Sequence, residues 1–321
     1  MKKALIASTA LLLTAGVAAA DVTISGYGRT GVVYYENDGG PTAENESQVV
    51  GRLRMNIDAS SSTDSGIDFG ARFRLQWDQN GDNEGRTNAG KLWVSAQGFT
   101  VEVGNADTAF DNNGLLYETE LGAFDRSVGF SDVTGDFFTY ESDSYADVDR
   151  VGIRALYTVG DLTLQASYID PDQSGLNEGV GMDEEFGISV DYTWNERLEL
   201  SFAAVQSGAG FDGNDIFFVG ARYAVMDNAR IGLNYVDTND ETDTEYAGVG
   251  KTVALYGDYT LADGRTNIEA YVANNDRDSN ETDNAFGIGV NYDLGGARLG
   301  ASIQRDYAEN VTADMGVRFE F

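Results

Sequence analysis

The chain has 321 residues, with 21 Lys and Arg against 53 Asp and Glu, a net charge of −32, no His and no Cys. The absence of His and Cys excludes a Ser-His-Asp hydrolase, a thiolate site and disulfides. A surface this acidic repels nucleic acid and gathers cations.

Lys2 and Lys3, the apolar run Ala4–Val17 and the small residues Ala18, Ala19 and Ala20 have the three parts of a secretory signal peptide, residues 1–20. The expected mature chain is residues 21–321, and loss of Lys2 and Lys3 makes its net charge 19 − 53 = −34. No apolar window of about 18 residues follows, so membrane-spanning helices are not expected. Transmembrane strands would escape this test, because alternating lipid-facing and lumen-facing residues average out in hydropathy.

The stretch GYGRTG, residues 26–31, has the glycine spacing of a dinucleotide fingerprint. It runs into Val32, Val33, Tyr34 and Tyr35, which favour a strand over the helix such a site requires. Read as strand, it turns Gly26 and Gly28 outward, where shallow walls suit a subunit contact or a bend.

From there the period is 2 almost throughout. In IDFGARFRLQW, Ile67, Phe69, Ala71, Phe73, Leu75 and Trp77 oppose Asp68, Gly70, Arg72, Arg74 and Gln76. Eleven alternating residues match a tilted bilayer-spanning strand. Sixteen such segments are expected, starting near Val22, Gly51, Ile67, Gly90, Phe99, Arg150, Leu162, Glu185, Leu198, Asp215, Ala229, Lys251, Thr266, Ala285, Ala297 and Ala313. Connections alternate between short, such as QG at 97–98 and LADG at 261–264, and long, such as 36–50, 78–89 and 105–149. Outer-membrane barrels sort their loops in this way, and Tyr157, Tyr192, Tyr223, Tyr259, Tyr292 and Phe321 at segment ends suit an interfacial girdle. The expected fold is an all-β, 16-stranded antiparallel transmembrane β-barrel, with a long third loop folded into the lumen.

A barrel of this size leaves an aqueous channel. The early strands turn Arg29, Arg52, Arg54, Arg72 and Arg74 into it, and lining charges tune selectivity. The third loop, 105–149, carries Phe110, Leu115, Leu116, Leu121 and Phe124, which need packing inside the barrel. Its Asp107, Asp111, Glu118, Glu120 and Asp125 would then face the arginine wall. Local pairing of each arginine is the plainer alternative. Acidic runs at 141–149, 237–245 and 276–284 suggest divalent-cation binding, as at Asp276 and Asp278. That last loop lacks the glycine and glutamate of an EF-hand.

DVTISGYGRTGVVYY at 21–35, SSTDSGIDFGARFRL at 61–75, VEVGNADTAFDNNGLLYE at 101–118 and the closing MGVRFEF resemble the general diffusion porins of alpha-proteobacteria, the Rhodobacter type. The resemblance implies a homotrimer of 16-stranded barrels, each with a constriction between cations on the wall and carboxylates on the third loop. Arg29, Arg54 and Arg74 fall at or near inward cations of the family, and Glu118 at an acidic loop position. Phe321 resembles the terminal aromatic read by the barrel-assembly machinery, and the family suggests calcium near the loops. The implied function is a passive outer-membrane pore with no enzymatic activity and no required cofactor, weakly cation-selective. External carboxylates could also bridge through cations to lipopolysaccharide. A substrate-specific channel, for instance for sugars, would need an aromatic track from Tyr27, Trp93 and Tyr271. A secreted β-rich adhesin would need no sorted loops.

Overall fold

The computed structural model describes residues 21–36, 45–79, 85–88, 90–118, 121–122, 132–133, 137, 139–140, 150–175, 182–238 and 250–321. Its strands are β1 (Asp21–Tyr35), β2 (Ser47–Ser62), β3 (Asp68–Asp78), β4 (Gly85–Thr87), β5 (Lys91–Ala96), β6 (Phe99–Gly104), β7 (Val151–Val159), β8 (Leu162–Asp170) and β9 (Glu185–Trp194). They continue as β10 (Leu198–Gln206), β11 (Ile216–Met226), β12 (Ala229–Asp237), β13 (Lys251–Thr260), β14 (Thr266–Asn275), β15 (Asn284–Asp293), β16 (Ala297–Arg305) and β17 (Val311–Glu320).

All pairings are antiparallel between neighbours in sequence, and β17 returns to β1, with Arg29 opposite Arg318 and Gly31 opposite Gly316. β4 and β5 both pair with β3, through Leu75 to Thr87 and through Asp68 to Ser95. They are two pieces of one wall strand, so the closed barrel has sixteen staves. The sequence reading put the upper piece in a loop, because three residues are too few to show a period.

Alternation sets which side faces lipid. Val22, Ile24, Val32, Leu53, Phe73, Leu92, Ile188, Leu233, Val272, Ile288 and Met315 are exposed apolar side chains on the outer face, as a lipid-facing band requires. Tyr157, Tyr192, Trp194, Tyr223, Tyr259, Tyr292 and Phe319 form an exposed aromatic ring at the ends of descending strands.

The connections on that side are short: 63–67, 97–98, 160–161, 195–197, 227–228, 261–265 and 294–296. At 97–98, Gln97 (φ 51°) and Gly98 (φ 82°) are both left-handed, as the twist-matched two-residue hairpin turn requires. The opposite end carries the long connections. One is shorter than expected, because β2 begins at Ser47 and not at Gly51. Hydrogen bonding to Tyr34 across the ladder extends a segment whose polar residues hid it.

Gly28 faces outward as expected, but its space belongs to this chain. A Cβ there would collide with the ring of Phe319 on the neighbouring strand. The glycine therefore makes room for an aromatic side chain of the last strand.

The buried apolar packing lies between the inner wall and the segment after β6. Phe110, Leu115 and Leu116 cluster with Ala203, Val205, Ile216, Phe218 and Val236 of β10–β12. Leu121 packs with Ala254, Tyr256, Tyr271, Ala273 and Ala285 of β13–β15.

Candidate functional site

Five arginines line the inner face of β1–β3. Arg52 donates to Asp78, its register partner on β3. Arg72 grips Asp58 with two hydrogen bonds, 2.6 and 3.2 Å. Arg54 donates to the amide oxygen of Gln76 at 2.6 Å, and Arg74 to that of Asn56 at 3.3 Å. Local pairing thus holds for Arg52 and Arg72 with carboxylates, while Arg54 and Arg74 donate to neutral amides.

A hub absent from the sequence reading joins them. The Tyr27 ring lies 6.0 Å from the Arg29 guanidinium, 5.5 Å from Arg54 and 4.5 Å from Arg318. Arg318 was missed because it is 289 positions from Arg29 (318 − 29), and only barrel closure makes them register partners. In register, Arg52, Arg29, Arg318 and Arg298 follow one another across β2, β1, β17 and β16. Like charges directly opposite repel, so this arc carries a concentrated positive field.

The loop segment is tied to the far wall through polar contacts. Asn234 Nδ2 donates to the carbonyl of Leu115 at 2.8 Å, and Asn113 Nδ2 to that of Phe202 at 3.2 Å. Ser167 Oγ accepts from Ala109 N at 2.8 Å, and Asp191 from Gly114 N at 3.0 Å. These partners lie on β8–β12. Counting β4 and β5 as one, β11 is the tenth stave and β2 the second. They are eight of sixteen apart, so the segment hangs from the side facing the arginine arc.

Of its acidic residues, Glu118 pairs with Arg222 of β11, which also holds Glu199. Asp111 accepts from the Tyr117 hydroxyl, and Asp107 is half-buried. Glu120, Asp125 and Phe124 lie outside the described residues. Arg222, Lys91 and Arg154, the last two sharing Glu102 at 2.9 and 2.7 Å, are further lining cations that the sequence reading left aside. Their single inward placement on strands β5, β7 and β11 forms no cluster in the sequence.

In the segment's outer part, burial raises the Tyr140 hydroxyl to about 12. On the loop after β16, burial and the Asp132 charge push Tyr307 up as well, and its hydroxyl donates to the Asp132 carbonyl at 2.7 Å. Both phenols stay neutral at ordinary pH and serve as anchors.

Asp276, one of the acidic residues of the 276–284 run, accepts from Lys251 N at 2.6 Å and so acts as a backbone anchor. Among the described residues no group of three or more acidic side chains is arranged to hold a metal. The three aromatics of the sugar-channel alternative do not line up as a track. Tyr27 is ringed by arginines, the Trp93 indole fills the space over Gly70, and Tyr271 is buried, donating to Asp132 at 2.6 Å.

Comparison with known proteins agrees with this architecture. The sequence pattern of the family described as Gram-negative porin matches residues 7–314. The chain is 39% identical over 306 residues to the porin of Fuscovulum blasticum, covering 94% of this chain and all of that one. It is 27% identical over 341 residues to the porin of Rhodobacter capsulatus, with the same coverage. A solved mutant of the Rh. blastica porin superposes with a TM-score of 0.82 at 36% identity, covering 94% of this chain and all of that one. The sorted loops, the lipid-facing band, the closed sixteen-stave wall and these likenesses have one meaning: the chain belongs to the Gram-negative porins, passive diffusion channels of the outer membrane.

Proposed function

We propose that the pore of this chain is constricted between the arginine arc of β1–β3 and β17 and the acidic segment 105–125, and that it prefers cations weakly. The observation that carries this reading is the topology: the segment is hydrogen-bonded to staves diametrically across from β2. Wall residues Arg29, Arg52, Arg54, Arg72 and Arg74 would set one side, and Asp107, Asp111 and Glu118 the other, with Glu120 and Asp125 as continuing carboxylates. Small hydrated solutes pass such a transverse field by orienting, while apolar ones must shed water they cannot replace.

The cation preference follows from charge balance. The expected mature chain carries −34, and Asp78, Asp58, Glu118 and Glu199 offset arginines within the lumen. A net negative mouth concentrates cations ahead of the constriction. The chain is further read as a homotrimer, made with a cleaved signal at 1–20 and assembled through Phe321. Cation-bridged lipopolysaccharide, with calcium as one such cation, would contact its acidic external loops.

The test is conductance and reversal potential of detergent-purified protein in a planar bilayer. Conductance steps in threes, proportional to salt, with a cation-selective reversal potential are the expected result. Anion preference in a salt gradient would overturn the selectivity, and single independent steps would overturn the trimer.

A further inference from the structure

Four arginines gather round one uncharged side chain at the seam where the barrel closes. Tyr27 lies on β1, whose two neighbours in the sheet are β2 and β17. Alternation with the outward Gly28 puts it on the inner face. Its register partners are Arg54 on β2 and Glu320 on β17. The guanidinium of Arg318, from β17, lies 4.5 Å from the ring centre. That of Arg54, from β2, lies at 5.5 Å, and that of Arg29, from β1 itself, at 6.0 Å. All three fall within the reach of a cation–π contact, about 6 Å. Arg52 meets the phenol hydroxyl of the same side chain.

Arg52, Arg29 and Arg318 stand directly opposite one another across β2, β1 and β17, and like charges so placed repel. A carboxylate among them would hold them but cancel their charge, as Asp78 does for Arg52 and Asp58 for Arg72. The face of an aromatic ring attracts a guanidinium through its quadrupole and carries no net charge. Tyr27 therefore restrains cations without neutralising them. The ring is half-buried and Arg29 is buried beside it, and desolvation strengthens such contacts. Glu320, the acid in register with Tyr27, has a side chain 78% exposed and 3.9 Å from Arg318, a solvated and weak pair.

We propose that Tyr27 is a selectivity-determining residue of this pore: its ring clamps Arg318 of β17 and Arg54 of β2 across the closing seam, and so fixes where the positive field of the wall stands. The role is one of positioning, since ions pass the arginines and Tyr27 acts through them. The charges it gathers come from both sides of the seam, so the first and last strands contribute to one electrostatic unit. The inference rests on the reading of the arginine arc as one side of the constriction.

The experiment is the reversal potential of Tyr27 variants in a fixed KCl gradient. Tyr27→Leu keeps apolar bulk and removes the ring. Its freed arginines disperse, and the cation-to-anion permeability ratio should rise about twofold, short of what loss of a whole charge does. Tyr27→Phe keeps the ring and should restore the wild-type ratio. Added to Arg54→Gln with Arg318→Gln, Tyr27→Leu should shift the ratio little further, because the groups it clamps are gone. An unchanged ratio in Tyr27→Leu, the same shift in Tyr27→Phe, or an undiminished shift on the double-glutamine background would overturn the proposal. A second readout needs no current: NMR of the detergent-solubilised full chain with labelled arginine. The side-chain protons of Arg318, assigned through Arg318→Gln, should resonate upfield in the ring current of Tyr27 and return to ordinary positions in Tyr27→Leu. Ordinary positions in the wild type would overturn the clamp. Absence of conductance steps from the wild type would count against the pore reading, while the spectrum decides the clamp on its own.

Discussion

Among the lining residues, the distinction that matters is between arginines held by carboxylates and arginines held by amides. Arg54 and Arg74 donate to Gln76 and Asn56, so their removal deletes two positive charges from the wall. At 10 Å in water one unit charge acts with about 0.4 kcal/mol on each ion, oppositely on cation and anion, about a fourfold change in their ratio. Arg54→Ala with Arg74→Ala should therefore raise the cation-to-anion permeability ratio by about tenfold or more. An unchanged reversal potential would remove both from the constriction. Arg222→Ala acts through the carboxylates it releases: Glu118 and Glu199 lose their shared partner. The expected outcome is a shift toward cations of similar sign, with noisier open-channel current, because the loop loses an ionic tie. The inward phase of Arg29, Arg52, Arg54, Arg72 and Arg74 was legible in the sequence from period 2 alone. What each one touches was not, since Asp78, Asp58 and Arg318 become neighbours only through strand register and closure.

The elements were legible where alternation ran ten residues and obscure where it did not. β5 to β17 begin within two residues of their expected starts, while β4 was lost in a loop and β2 began early. The loop after β6 was legible by composition, because five large apolar residues in a loop demand cover. Its seat against β10–β12 was not, since nothing in their own strands sets Phe218 and Val236 apart as the partners it packs on. Phe110→Ala should cost this anchor about 3–5 kcal/mol while the backbone ladder of the wall stays intact. Higher conductance with larger current fluctuations is the expected reading, and deletion of 110–122 should raise conductance further. No change in either would mean that the segment does not narrow the channel. The short turns make a separate prediction. Asp263 accepts from the Thr266 hydroxyl and from N–H groups of Arg265 and Thr266, and these hold its carboxyl down at about 2. A folded value below the unfolded one means that its support for the turn is present above pH ~4. That support fades as pH falls through 2. A carbon-13 titration of the side chain should have its midpoint near 2, and a midpoint near 4 would show that the bonds do not form.

At the scale of the molecule, a chain this acidic that encloses a cationic arc should respond to salt unevenly. Screening beyond about 10 Å at 0.1 M weakens the pull of the outer loops before it weakens the arc. Cation preference should decline as salt rises from 0.01 to 1 M, measured as reversal potential at a fixed gradient ratio; a constant preference would place the selecting charges at the constriction itself. The seam between the first and last strands has a different kind of consequence. Gly26 and Phe321 exchange backbone hydrogen bonds at 2.8 and 3.0 Å, and Phe319 caps Gly28. The opening strand therefore has no finished neighbour on one side until the final residue exists, so a ribosome-bound or truncated chain is an open ribbon with two raw edges. Insertion has to wait for the whole message to be read, and a chain cut short by even one strand is a chain that cannot shut.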